Sequence, residues 1–385
     1  MKNNIALFGV TLKGGGAENV ISKLMFQLND CYDFHLILLD EKIVFPIPEN
    51  VRVSILKNTT ANNFFNILQI PIIAFRLNKY CKQNKIQLCL SFLNRPNWIN
   101  CFTKLLSGRH KIVISERTTS SRYYNKTHLS GRIGLWLIKK LYPLADLIVP
   151  NSKGVQYDLE KRLQVANSYH LIYNPVKIVS QQPLTKKQKE FFTFIFTARF
   201  QSPKDHATII KALALLPSLE DIRVQFLGEG EYLESCKAIA NDLGIGHIIE
   251  FVGFVKDTYA YLLAADCFIF SSTFEGFPNV ILEALACGLP VISTDCLSGP
   301  REILAPFTDI TIQLKDTIEY AEYGVLIPMK NELLMAEAMQ AMVQDETMRN
   351  NYSQKAILRA NNFNVSNLIN EFITIFENHD TNPPI

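Results

Sequence analysis

No window of this sequence holds the roughly 18 uninterrupted apolar residues that a membrane-spanning helix requires. Nor does the opening Met1-Lys2-Asn3-Asn4 read as a secretory leader, because it runs straight into a strand-like segment; a cytoplasmic protein is expected. The eight cysteines form no C-x-x-C pair and several sit inside apolar runs, so buried thiols in a reducing compartment are expected, with no disulfide framework and no common zinc module. Three nucleotide and metal signatures are missing. No G-x-G-x-x-G follows the first strand, no G-x4-G-K-[ST] occurs, and there is no H-E-x-x-H, which argues against a dinucleotide dehydrogenase, a P-loop NTPase and a zincin. No D-x-D offers a metal–diphosphate site. Neither a catalytic metal nor a cofactor is therefore expected.

What is present is enough for proper cores. The 385 residues are 48% hydrophobic, and by length they make two or three domains. The small net charge of +3 hides a division. Residues 1–178 carry 24 Lys and Arg against 10 Asp and Glu, whereas residues 179–385 carry 15 against 26. Between Glu49 and Glu116 there are ten basic residues and no acidic one. Such a stretch is either a solvated face or an attraction for an anionic surface. Nucleic acid is excluded as the partner by the lack of any RRM, KH, zinc-finger or helix-turn-helix pattern. Residues 64–76 are strongly apolar and precede Lys79, Lys82 and Lys85. They read either as a core-facing helix or as one lying in the interface of an anionic membrane.

Apolar strands and helical patterns alternate twice, which predicts two α/β units with parallel sheets covered on both faces. In the first unit strands are expected at 4–9, 34–40, 87–93, 111–115, 147–150 and 169–173, with helices at 16–29, 64–84, 97–107, 130–142 and 153–163. Residues 177–190 lose periodicity and mark a linker. In the second unit strands are expected at 192–198, 224–228, 248–252, 267–271, 290–294 and 323–327. Its helices fall at 204–217, 230–243, 257–265 and 278–288, with three more after 331. Parallel sheets take ligands at the carboxyl ends of their strands, so two facing sheets place the ligand in the cleft between domains.

The stretch Phe274–Leu304 carries the most chemistry. Glu275 and Glu283 stand eight residues apart across a Gly276-Phe277-Pro278-Asn279 turn, with Glu283 on the helix that follows. A strand–turn–helix unit points free N–H groups at an anion, and carboxylates beside it accept hydrogen bonds from sugar hydroxyls. With this filling, Glu-x7-Glu resembles the donor-site signature of retaining glycosyltransferases of family 4, whose GT-B architecture is two Rossmann-like domains facing across a cleft. The resemblance extends along the chain. It includes Ile5–Gly9 with the Gly14-Gly15-Gly16 turn, Pro143–Ser152, Ile172–Val176, Phe196–Lys204 with Arg199 five residues before Lys204, and Leu227–Gly230.

The resemblance implies domains at 1–178 (acceptor side) and 179–360 (nucleotide-sugar binding), then a C-terminal helix in 361–385 that returns to the first domain and ends in a frayed tail. It implies Arg199 and Lys204 on the donor diphosphate, and Glu275 with the Gly276–Asn279 amides on the transferred sugar. Glu283 falls on the ribose, and Gly15 and Gly16 let backbone approach the donor or acceptor. Many family members carry a histidine after the fourth strand, where this chain reads Ser115-Glu116-Arg117. A subgroup that builds bacterial surface polysaccharides and lipid-linked oligosaccharides looks similar there. Glu116 and Arg117 are therefore expected to border donor or acceptor, with Asn94, Arg95 and Asn97 on the acceptor side. The implied activity is retaining, metal-independent transfer from a nucleotide diphosphate, UDP by preference, to a glycan on a polyprenyl diphosphate, at the cytoplasmic face of the membrane. A sugar-nucleotide epimerase of the same fold and a non-catalytic binding subunit are the alternatives.

Overall fold

Long β-rich apolar runs separated by amphipathic helices fold into two parallel sheets, as strands buried on both faces must. The computed structural model describes residues 2–56, 63–124, 127–179 and 190–377. The chain divides into two units, one formed by Met1–Pro175 with the segment from Val365 onward, the other by Val176–Asn364. Most of the linker expected at 177–190, and the end of the C-terminal tail, lie outside the described residues.

In the first unit, β1 (Asn3–Gly9), β2 (Tyr32–Leu38), β3 (Arg52–Ile55), β4 (Leu88–Phe92), β5 (Lys111–Glu116) and β6 (Leu147–Pro150) lie in the order β3-β2-β1-β4-β5-β6. Every pairing is parallel, and the order reverses between β1 and β4. Two expectations are corrected. Residues 169–173 form no strand; they meet β6 through a bridge from Tyr169 to Ile148 and through the His170 and Ile172 amides, which donate to the Ile148 and Pro150 carbonyls. The edge strand β3 was not expected: its Arg-Val-Ser-Ile is exposed or half-buried and too short to show a period. The helix expected at 64–84 is two, Asn63–Leu68 and Ile70–Gln83, with Pro71 in the first turn of the second. Residues 153–163 form a short α-helix, Lys153–Tyr157, that runs into a π-helical turn, Asp158–Arg162.

The last helix, Val365–Glu377, belongs to this unit. It buries Leu368, Ile369, Phe372, Ile375 and Phe376 against β1 and β2, with the Phe376 ring 5.2 Å from that of Tyr32. Each fully buried Phe of this set contributes about 1.5–3 kcal/mol by area removed from water.

In the second unit, β7 (Phe192–Thr197), β8 (Ile222–Leu227), β9 (Ile249–Gly253), β10 (Cys267–Phe270), β11 (Val291–Thr294), β12 (Glu319–Ala321) and β13 (Gly324–Ile327) lie in the order β12-β13-β11-β10-β7-β8-β9. Only the short edge strand β12, unexpected from sequence, runs antiparallel. The order reverses at β7 and β10, which is where an open α/β sheet leaves a crevice for ligand. All eight cysteines are free, and all but Cys31 are buried. Among the described residues, no helix is long and apolar enough to cross a membrane.

Candidate active site

In the second unit, two loops meet at the carboxyl ends of β7 and β10. The loop after β7 ends in a single turn, Ser202–Lys204. The loop after β10 is laced to it: Ser271 Oγ donates to the Lys204 carbonyl at 2.7 Å, and the Thr273 amide to the Pro203 carbonyl at 2.8 Å. This lacing brings Lys204 Nζ onto Glu275 Oε1 as a half-buried ion pair, joining residues 71 apart in the chain. Buried and hydrogen-bonded charge of this kind persists because each partner answers the other's desolvation.

The Gly276–Pro278 turn that follows is held from both sides. Ser298 Oγ donates to the Gly276 carbonyl at 2.6 Å, and the buried Phe277 ring lies 5.5 Å from Phe363. Gly299, at φ 94°, packs so closely that a Cβ there would come within 2.4 Å of Pro278 Cδ, so only glycine allows the turn. Pro278 caps the helix Asn279–Ala286 without a side-chain hydrogen bond, and the Ile281 amide donates to the Pro278 carbonyl at 3.2 Å. Glu283 lies one turn along, half-buried, and its charge adds to burial in raising the Cys287 thiol to about 12 and the Tyr259 phenol above its ordinary range. His206 stacks on Phe200 at 4.0 Å; burial, aided by the Lys204 charge, drives its pKa down to about 3 and keeps it neutral. Arg199 stands exposed after β7, and its side chain makes no hydrogen bond or ion pair among the described residues. The unit thus offers two cations, a row of amides and two carboxylates at one sheet edge. Those groups suit a diphosphate carrying hydroxyl-rich sugars.

In the first unit, β5 ends in Glu116, fully buried. Its carboxylate accepts from Tyr142 Oη at 2.5 Å, Asn94 Nδ2 at 3.0 Å and the Arg117 amide at 3.1 Å. Burial nevertheless pushes its pKa up to about 7. Asn94 opens the helix Asn94–Phe102 directly after Leu93, which sits at φ 73°, ψ 159°. That region is occupied essentially by glycine, and a leucine there costs on the order of 1–3 kcal/mol. Asn94 and Arg95 line a cavity. The other two expected residues stand beside the same network, the Arg117 amide on Glu116 and Asn97 Nδ2 3.4 Å from Tyr142 Oη. Arg117 turns to Ser115 Oγ and Asn174 Oδ1, and burial lowers its pKa to about 10. Asn97 is fully buried, accepting from Ser91 Oγ at 2.8 Å and donating to the Ser115 carbonyl at 3.0 Å, so it ties β4 to β5. Gly15 is the extended cap of the helix Gly16–Leu28, which has no side-chain cap among the described residues.

Sequence reasoning missed Ser298 and Gly299, although the Ser-Gly-Pro run is a turn signal. It also missed Ser120 and Tyr142, which both accept from Asn94 Nδ2 and carry no local signal. Among the described residues, no group of three or more His, Cys, Asp or Glu side chains is placed to hold a metal ion.

Two Rossmann-like parallel sheets in one chain, with this site at the strand ends of the second, define the GT-B class of nucleotide-sugar enzymes. Residues 14–179 match the model of Glycosyltransferase Family 4, and residues 179–359 match that of Glycosyl transferases group 1. The chain belongs to the family 4 glycosyltransferases. It is 32% identical over 363 residues to a Campylobacter jejuni N-acetylgalactosamine-N,N'-diacetylbacillosaminyl-diphospho-undecaprenol 4-alpha-N-acetylgalactosaminyltransferase, covering 93% of this chain and 95% of that one. It is 29% identical over 243 residues to the lipopolysaccharide 1,6-galactosyltransferase of Salmonella typhimurium, covering 56% of this chain and 65% of that one. Among solved structures, Anabaena HepE in complex with UDP superposes with a TM-score of 0.77 at 18% identity, over 98% of this chain and 99% of that one. Sucrose-phosphate synthase from Thermosynechococcus elongatus gives a TM-score of 0.80 at 16% identity, over 97% and 98%.

Proposed function

We propose that this glycosyltransferase moves a hexose or N-acetylhexosamine, with retention at the anomeric carbon, from a UDP-sugar to a glycan on a polyprenyl diphosphate. The observation that carries the donor half is the Lys204–Glu275 pair at the start of the helix Asn279–Ala286. A diphosphate settling on those amides brings Arg199 and Lys204 to its oxygens. Lys204 then shares its charge between Glu275 and the leaving phosphate. As the glycosyl–phosphate bond loosens, negative charge grows on the diphosphate and positive charge on the sugar. Fixed cations meet the first and Glu275 the second, without reorganisation at the moment of reaction. The acceptor hydroxyl attacks from the leaving group's face and gives its proton to a phosphate oxygen. Glu283 holds the ribose, and no metal is required. The choice of UDP draws on the UDP complex of HepE, and that of a lipid-linked acceptor on the bacterial relatives, two of which act in lipid-linked or lipopolysaccharide synthesis by name.

The same reading places the protein at the cytoplasmic leaflet. The helix Ile70–Gln83 buries Ile73, Ala74 and Leu77 in the core while Ile72, Phe75, Arg76, Lys79 and Lys82 face outward. Phe65 and Leu68 of the preceding helix add to that outward stripe, and all four of its apolar side chains are more than half exposed. Apolar side chains beside cations are what an anionic bilayer surface takes.

Thermal unfolding with UDP, GDP, ADP and their sugars tests the donor. At 100 times its Kd a ligand stabilises by about 2.7 kcal/mol, and UDP ligands should give the largest shift. A shift with GDP ligands alone would overturn the base assignment. No shift with any nucleotide, or an unchanged shift in Lys204→Ala, would overturn the site.

A further inference from the structure

The first unit contains a cavity of about 670 Å³, well inside the range of small-molecule sites, to which the donor chemistry lays no claim. Its construction points to a ligand. The strained Leu93 is held by its amide donating to the Ser115 carbonyl at 3.3 Å and its carbonyl accepting from Asn97 at 3.0 Å. What that turn positions is Asn94, on the cavity wall. The Asn94 amide nitrogen is committed to Glu116 at 3.0 Å, Ser120 at 3.1 Å and Tyr142 at 3.3 Å, so its Oδ1 is the atom turned from that network.

A second wall is aromatic. The Tyr124 ring lies 5.9 Å from Trp98, seated on Gly134, where a Cβ would come within 2.6 Å of the ring. The loop bearing Tyr124 is pinned from behind by Asp158, which accepts from the Ser121 amide at 2.9 Å and from Ser121 Oγ. Asp158 is buried at the start of the π-helical turn, a feature that gathers at functional sites. Val10, Ile67 and Leu93 give the lining an apolar patch, beside polar residues that include Arg95, Thr118 and His128.

An aromatic face attracts the C–H face of a pyranose, because the ring's negative face meets weakly positive hydrogens. A bare hexose has hydroxyls for Asn94 Oδ1 but nothing to place against Val10, Ile67 and Leu93. An acetamido group has both an N–H donor and a methyl. We propose that this cavity seats a 2-acetamido sugar of the acceptor. Its ring lies on Tyr124, its amide N–H donates to Asn94 Oδ1, and its methyl rests against Val10, Ile67 and Leu93. Glu116 and Tyr142 act as positioning residues by orienting Asn94. The assignment rests on the acceptor being a glycan and specifies the class of sugar it presents.

Trp98 and Trp136 are the two tryptophans of the chain, and Trp136 is 56% exposed. Trp136→Phe therefore leaves Trp98 as the sole indole reporter, in the cavity wall. Titrating that variant with methyl glycosides of N-acetylhexosamines should give a saturable emission change. The matching hexosides should bind about tenfold more weakly or worse, from the loss of one hydrogen bond and one buried methyl. Asn94→Leu should abolish the difference between the two sugars, and Tyr124→Ala should weaken both. Equal titration by the two sugars in the Trp136→Phe protein, or no response to either, overturns the proposal. No nucleotide enters this measurement. A missing UDP shift with an intact acetamido preference sinks the donor reading and keeps the pocket, and the converse sinks the pocket alone.

Discussion

Replacing Glu116 with glutamine should change how the first unit's stability depends on pH. Glu116 is fully buried, and its pKa rises from about 4.5 to about 7 because burial outweighs the hydrogen bonds from Tyr142 and Arg117. A carboxyl whose folded pKa lies above its unfolded value holds a proton in the folded state that the unfolded chain releases. Its contribution is complete below about pH 4.5, falls as pH rises, and is lost once pH passes about 7. Between pH 5 and pH 8 the linkage integral with these two values comes to about 2–3 kcal/mol. Glutamine has no such term. Urea unfolding of wild type and Glu116→Gln, at both pH values, should therefore show the variant gaining about 2–3 kcal/mol relative to wild type on going from pH 5 to pH 8. Tryptophan emission is the right signal, since Trp98 and Trp136 both lie in the first unit and report its transition alone. A difference that stays constant across that range would refute the reasoning, because it would mean that Glu116 titrates alike in the folded and unfolded states. Natural chains keep a group that weakens them at neutral pH when it serves the site, and here it orients Asn94.

The remaining expectations concern the donor site and the membrane face. Arg199→Ala and Lys204→Ala should each lower transfer on the order of 10²-fold with the fold intact by circular dichroism, as for loss of one electrostatic stabiliser; wild-type turnover in either would remove it from the mechanism. Glu283→Gln should raise the donor KM more than it lowers kcat, and Glu275→Gln the reverse, since in the proposed mechanism only Glu275 meets the sugar that becomes cationic; identical kinetic signatures would refute that division. Turnover should persist in excess EDTA, and abolition by chelation with recovery on adding Mg²⁺ would show that a metal carries the leaving group. Co-sedimentation with vesicles should rise with anionic lipid, fall in high salt, and weaken when Lys79, Lys82 and Lys85 become glutamate, each lysine being worth about 1 kcal/mol near such a surface; binding indifferent to all three would make the stripe an ordinary solvated face.

The parts of the fold that could be read from the chain are those where burial on both faces leaves a continuous apolar run. β1, β4, β5, β7, β10 and β11 are of this kind, and their places follow from that single physical demand. β3 escapes because it is an edge strand with one bonded neighbour and little burial, so packing imposes no pattern on Arg-Val-Ser-Ile. Residues 169–173 show the opposite error. His170 and Ile172 donate to the β6 carbonyls Ile148 and Pro150, which an extended segment can do at a sheet's rim without becoming a strand. The site divides the same way. Glu275, the Gly276–Asn279 turn and Glu283 are contiguous, so their spacing carries the geometry. Lys204 comes to Glu275 only through a loop–loop lacing, between residues 71 apart, that no local pattern encodes. Tyr142 is harder still. As a fully buried aromatic following an amphipathic helix it satisfies every rule for a core residue, and its hydroxyl has chemical meaning only because Glu116, 26 positions earlier, arrives at the end of β5. Periodicity reports how much of a side chain leaves water. It does not report which polar atom the buried part must find, and that pairing gives the first unit a carboxyl titrating near pH 7 and an asparagine oxygen aimed away from it.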